Sequence, residues 1–405
     1  MLDEASHFLG YTVVSTLIYL SSLLYAFKTQ ESKAPDVTDL SFRNMDFAMN
    51  LYRRISRHHD NNIIFSPLSV SVSLATLLLA AGGSTRAQIA GGLNLASLDD
   101  DDDEVIPQLF QDLLRNISLI QQNTALFVDH RFDLEQVFSH QVKRFFGADV
   151  IGVEFGKTDV ARDIINDYIS KKTGGKVREM VKSVEPLTQM MLINTVFFKG
   201  DWQRLFDPNS TEPGRFYVDK YNIVQVPLMF AEDKFFTTED GDVGARVLRL
   251  PYRGGASLLI VLPDASVDYT AIEDEITAER IFRWIKKMKP VKMEVHVPKF
   301  QLEQRYGMHE LLPHLGISSV FHHSANLTGL SKDVGVKVSQ VMHTAVMDVD
   351  ETGTTAASAT SAGITTYSLP TTFRVDRPFF FFLYHEATHS LLFMGRVIDP
   401  TKNSQ

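Results

Sequence analysis

Apolar positions along the chain fall at helical spacing early and at strand spacing later. In Leu40–Ser56, residues Phe42, Met45, Phe47, Ala48, Leu51 and Ile55 fall at roughly helical spacing, as in a helix with one buried face. Ile63–Phe65 is a short strand-like run. Ser66-Pro67 opens a second helix, with serine as cap and proline in the first turn. Leu68–Ala81 is apolar nearly all round, which predicts a buried helix that Gly82-Gly83 ends. Another short helix is expected over Thr85–Gly92. Met190–Phe198 is a continuous run of apolar, β-branched and aromatic residues and reads as a strand covered on both faces. Val224–Phe230, Ala245–Pro251, Ser257–Leu262 and Met293–Phe300 read as further strands. Val341–Val349 alternates, placing Val341, His343, Ala345, Met347 and Val349 on one face. Pro378–Tyr384 and Leu391–Ile398 are expected to be two strands joined by a short polar turn. Helices first and strands later predict an α+β fold.

Composition narrows the function classes. The 405 residues are 44% hydrophobic and 22% charged, with a formal charge of −9. A mildly acidic chain is a poor candidate for general nucleic-acid binding, which needs clustered Lys and Arg against phosphates. There are no cysteines, so disulfides and thiol chemistry are excluded. No long linker interrupts Asp39–Pro400, and one large domain is expected. Near the N-terminus, the uncharged stretch Tyr11–Phe27 reads as part of a secretory signal spanning residues 1–31, with a retained membrane anchor as the alternative. Asn116, Asn209 and Asn326 each begin an acceptor sequon and can carry glycans if the chain is secreted.

The tract Thr354–Thr366 is the least ordinary segment. Its 13 residues are five Thr, four Ala, two Ser, one Gly and one Ile, with no charge, no Pro and no large ring. A surface loop of this length normally carries Asp, Asn, Lys or Pro. Small and β-branched residues suit an interior strand instead. The tract therefore reads as a loop able to become a central strand, with Thr354, Ala356, Ser358, Thr360, Ala362 and Ile364 sharing one face.

Four stretches, in this order, resemble the serpin family: Asn62-Ile-Ile-Phe-Ser-Pro-Leu-Ser69, Ile193-Asn-Thr-Val-Phe-Phe-Lys-Gly-Asp-Trp202, Val349-Asp-Glu-Thr-Gly-Thr354, and Arg377-Pro-Phe-Phe-Phe381 with Phe393-Met-Gly-Arg-Val397. The resemblance implies a serpin domain over residues 38–402 with three β-sheets, about nine α-helices and an exposed reactive-centre loop at 353–370. It implies a secreted plasma inhibitor, monomeric and without enzymatic activity, that traps serine proteases as a suicide substrate. Counting as the family does places the cleaved bond at Tyr367–Ser368. It makes Gly353, Thr354, Thr355, Ala356, Ala357, Ser358 and Ala359 the hinge of the loop. Ser66, Ser69, Asn194 and His343 become a polar support beneath the opening sheet. The implied targets are the coagulation proteases factor Xa and factor XIa. Protein Z is an implied partner, at positions matched by Asp60, Asp219, Tyr221 and Asp274. Heparin is another, on a basic helix that carries Arg280, Arg283, Lys286 and Lys287, of which Arg280, Arg283 and Lys287 can share one face. The acidic run Asp99–Glu104 stands where many family members bind heparin through cations, which argues against a site there.

Two other readings compete. A non-inhibitory member of the same family would carry a small hydrophobic ligand or hormone, and such carriers tolerate charge or Pro in the tract that is charge-free here. A zinc protease is suggested by His385-Glu-Ala-Thr-His389, because two His four apart share one helical face. The flanks of that motif read as strands and no His, Glu or Cys follows as third ligand, so a turn is expected and no metal.

Overall fold

The computed structural model describes residues 34–98, 104–351 and 371–402. The expected signal segment, the hinge Gly353–Ala359 and the bond Tyr367–Ser368 lie outside the described residues. The chain divides into two units, Met1–Asp36 and Val37–Gln405. Among the described residues, no helix is long and apolar enough to cross a membrane.

In chain order the second unit contains α1 (Val37–Ser56), β1 (Ile63–Phe65), α2 (Pro67–Leu78), α3 (Gly83–Gly92), α4 (Val105–Arg115), β2 (Ile120–Asp129), α5 (Gln136–Phe146), β3 (Asp149–Val153), α6 (Thr158–Lys172) and β4 (Met190–Phe198). It continues with β5 (Glu212–Tyr217), β6 (Ile223–Asp240), β7 (Ala245–Pro251), β8 (Ala256–Pro263), α7 (Thr270–Glu273), α8 (Ala278–Lys287), β9 (Lys289–Pro298), β10 (Phe300–Gly307), α9 (Met308–Leu311), β11 (Gln340–Val349), β12 (Thr371–Arg374), β13 (Phe379–His385) and β14 (Leu391–Val397). The expected α+β class holds, with nine α-helices among the described residues.

One sheet has five strands in the order β10-β11-β4-β2-β3. The other two expected sheets are joined into one nine-stranded network, because β6 is long enough to serve both. Its start pairs with β5, its middle with β9 and its end with β7.

The unbroken apolar run of β4 is explained by its two covered faces. Met190, Leu192, Val196 and Phe198 enter the main core, while Met191 and Ile193 enter a second core with Ile165 and Ile169 of α6. Helix α2 is buried along its whole length, and the Ser66 hydroxyl accepts from the Ser69 N–H at 3.2 Å as the cap. Two boundaries differ from the sequence pattern. Helix α2 stops at Leu78, before the glycines. The Leu78 carbonyl accepts from Arg86 and the Ala80 carbonyl from the Gly329 N–H, so tertiary partners replace the next helical turn. The single strand expected over Met293–Phe300 is part of two strands, β9 and β10, which lie in different sheets with Lys299 between them.

Candidate functional site

The tract that follows β11 is tethered at the seam of the five-stranded sheet. Strands β4 and β11 are parallel neighbours, in register from Gln340 opposite Met191 to Met347 opposite Phe198. Beyond the tract the chain returns as β12, a four-residue strand parallel to β9 at the edge of the nine-stranded sheet.

A polar lock lies beneath this seam. His343 of β11 and Asn194 of β4 are directly opposite, and His343 Nδ1 lies 2.7 Å from Asn194 Oδ1. The Ser66 N–H donates to His343 Nε2 at 3.1 Å. Nε2 is thus an acceptor, and the ring is neutral with its proton on Nδ1, donated to Asn194. Asn194 Nδ2 donates in turn to Thr124 Oγ1 at 3.0 Å, and Ser69 Oγ donates to Gln122 Oε1 at 2.9 Å. The structure therefore brings Ser66, Asn194 and His343 into one chain, with Ser69 linked to it through the cap. Burial of the ring lowers the His343 pKa to about 3. One hydrogen bond of this lock crosses the seam, so parting β4 from β11 must break it.

A second set of contacts closes the top of the seam, and sequence reasoning missed it as a site. Trp202 Nε1 donates to the Asp350 carbonyl at 2.7 Å while its ring stacks on Tyr252 at 3.9 Å. Lys199 bridges Asp348 at 3.0 Å and Asp350 at 2.7 Å. Glu351, the last described residue before the tract, pairs with Lys299 at 2.6 Å and accepts from the Thr211 hydroxyl at 2.7 Å. Burial alone would raise the Glu351 pKa, but the bonds from Lys299 and Thr211 outweigh it and hold the carboxyl below its ordinary value. The only sequence signal for this set was the Lys199–Trp202 motif, since nothing local marks Lys299 as the partner of a residue 52 positions away. Replacing Glu351 by Gln should cost about 1–3 kcal/mol, because the side chain is only 9% exposed and the Lys299 ammonium loses its counter-ion. Urea unfolding at neutral pH checks this, and an unchanged midpoint would remove Glu351 from the closure.

The residues expected to meet a cofactor protein are all exposed. Asp219 caps the turn between β5 and β6 by accepting from the Tyr221 and Asn222 N–H groups, and Tyr221 stands 81% exposed beside it. Asp219 and Tyr269 line one cleft of about 720 Å³. The Asp60 charge acts on the Tyr269 phenol, and Asp274 follows α7 next to Glu273. Of the four, only Asp219 lines that cleft, together with Lys220, Asp268, Asp376 and Arg377, while Asp274 lies 4.0 Å from Arg53.

The basic helix face is smaller than expected. Arg280 turns inward, with a side chain 13% exposed, and pairs with Asp240 at 2.9 Å and Glu275 at 3.4 Å. Asp240 is a buried acceptor that Trp284 also engages, which explains why Arg280 is drawn in. Arg283 sits 3.9 Å from Asp242, leaving Lys286 and Lys287 exposed at the end of α8. Asn116, Asn209 and Asn326 are exposed. His385 ends β13, with Nδ1 2.9 Å from Thr388 Oγ1, and His389 has φ of 58° in the turn before β14. The two histidines share no helical face.

The family model Serpin (serine protease inhibitor) matches residues 42–400. The protein Z-dependent protease inhibitor of Mus musculus is 39% identical over 368 residues, covering 89% of this chain and 82% of that protein. The crystal structure of mouse protein-Z dependent protease inhibitor superposes with a TM-score of 0.85 at 38% identity, covering 90% of this chain and 98% of that one. Human thyroxine-binding globulin superposes with a TM-score of 0.83 at 30% identity, covering 90% and 100%.

Proposed function

The chain belongs to the serpin family of serine protease inhibitors, and from that premise we propose that it is a secreted plasma glycoprotein that traps a coagulation protease by cleavage at Tyr367–Ser368. The observation that carries this reading is the parallel β4–β11 seam, whose strand β11 is followed after four residues by a charge-free tract. The protease serine attacks the Tyr367 carbonyl carbon, the Ser368 amine leaves, and an ester links enzyme and loop. The freed end then enters the seam. A strand that turns back from β11 and lies between β11 and β4 is antiparallel to both. One parallel pairing is thereby exchanged for two antiparallel ones, the more stable kind per residue. Thirteen residues extended at about 3.3 Å each span roughly 43 Å, so the attached protease moves across the molecule before water can hydrolyse the ester.

Tyrosine before the bond suits a deep apolar pocket, as in chymotrypsin-like enzymes, and not a pocket floored by carboxylate. Factor Xa would accept it poorly on pocket chemistry alone, which gives a physical reason for a bridging cofactor. Protein Z fits that role through the exposed residues Asp60, Asp219, Tyr221 and Asp274, as the names of the relatives suggest. The carrier reading has the same fold, as thyroxine-binding globulin shows, so the fold does not separate the two and the tract does.

Incubation with factor Xa (with and without protein Z on vesicles), factor XIa and chymotrypsin, followed by denaturing gels, tests the reading. A covalent complex and a released fragment beginning at Ser368 are expected. Cleavage without any trapped complex would overturn the inhibitor reading, and no cleavage at all would overturn the bond. Heparin, if it binds, meets Lys286 and Lys287 of α8. The double charge reversal Lys286→Glu, Lys287→Glu should weaken heparin affinity about tenfold or more, read as a lower salt concentration for elution, and unchanged elution would remove this site.

A further inference from the structure

A polar cleft of about 760 Å³ lies away from the seam, between α1, the end of α3, the start of α8 and the turn at His314. Gly92 sets its shape, because a Cβ there would sit 2.3 Å from Ile317 Cγ1, so only glycine lets α3 end this close to that residue. A Cβ on the neighbouring Gly91 would meet nothing within 4 Å, which leaves that edge open.

Charge is divided across the cleft. Arg54, in the last turn of α1, and Arg57, in the turn that follows it, both line the cleft, as does His314. Arg57 is exposed and has neither an ion pair nor a side-chain hydrogen bond among the described residues. Its neighbour Arg53 is already committed to the Ile276 carbonyl at 3.0 Å and the Asp274 carbonyl at 3.4 Å. The lining also contains Asp46 and Glu279, which only accept hydrogen bonds when ionised. Asp46 takes one bond from Asn94 Nδ2 at 3.2 Å. Burial, and next the Glu279 charge, raise the Asp46 pKa, with the Arg43 charge opposing them.

Each part of this lining restricts the occupant. A free arginine favours an anionic group, which a guanidinium can hold through two parallel bonds. Two carboxylates disfavour a second negative charge and favour hydroxyl or amide donors. An apolar hormone would strand several charged groups without partners. We propose that this cleft binds a short anionic sugar, its carboxylate or sulfate against Arg54 and Arg57 and its hydroxyls toward Asp46 and Glu279. Lys286 and Lys287 are about 10 Å further along the α8 axis than Glu279, so this site is separate from a heparin face there.

Calorimetry and saturation-transfer NMR on the full chain test it with 3′-sialyllactose as the carboxylate source and a heparin disaccharide as the sulfate source. Lactose and sodium sulfate are the controls. At least one anionic sugar should bind about tenfold or more tightly than either control, and the winner assigns the anion. Arg57→Glu should weaken that binding about tenfold or more. Gly91→Phe should abolish it by bulk with no change of charge. Lys286→Glu with Lys287→Glu should leave it unchanged. The proposal fails if no anionic sugar exceeds lactose, if sulfate alone binds as well, or if binding survives both Arg57→Glu and Gly91→Phe.

Discussion

Proline in place of Ser358 should turn the chain from a trap into a substrate. The protease would still cleave after Tyr367, because Ser358 is nine residues away from the bond. The tract would then have to enter the β4–β11 seam with one ladder N–H missing and an acceptor on a flanking strand unpaired. An unmet buried acceptor costs about 1–3 kcal/mol, which slows insertion roughly 5- to 150-fold. Deacylation is not slowed, so the balance moves by that factor from trapped complex to released enzyme. Titrating protease against wild type and Ser358→Pro and counting inhibitor consumed per enzyme silenced measures it directly. If the variant traps enzyme as efficiently as wild type, the tract does not become a central strand.

Acidification should weaken the lock under the seam, and His343 should account for a defined part of the loss. Its folded pKa is about 3 against an ordinary value of 6.5. A base whose folded pKa is depressed takes up protons more readily when unfolded. Its stabilising contribution is therefore complete above pH 6.5 and falls as pH drops through the window from 6.5 to 3. At pH 5 the loss from this one residue is about 2 kcal/mol. His343→Gln cannot titrate, so its stability should fall about 2 kcal/mol less than wild type between pH 7 and pH 5 in urea unfolding. Equal losses in the two proteins would show that His343 does not couple protonation to the sheet. Because the same ring bonds Asn194 across the seam, acid should also ease the parting of β4 and β11.

Several elements were legible because local pattern and tertiary role coincide. Met190–Phe198 reads as a doubly covered strand, and its residues do divide between two cores. Ser66-Pro67 reads as a helix start, and Ser66 does cap it. His343 was placed on the inward face by alternation alone, and the side chain is buried there. The expectation that Ser66, Ser69, Asn194 and His343 belong together came from family resemblance, since a lone histidine on an apolar face has no local mark of its partner.

Other features depended on which surfaces meet. Arg280 looked like its basic neighbours, but Asp240 comes from β6, 40 positions earlier, and draws it inward. The run from Met293 to Phe300 carries no sign that Lys299 divides two sheets or that Glu351 is its partner. What the sequence determined alone was the set of short-period properties: which face is apolar, where a helix is capped, and that 13 residues near the C-terminus carry no charge. These are fixed by chemistry within a few residues, where spacing along the chain equals spacing in space. The tertiary structure decided the seam, the lock across it and the pairs that close its top, because those contacts join residues tens to hundreds of positions apart. Their energies exist only once the strands lie side by side.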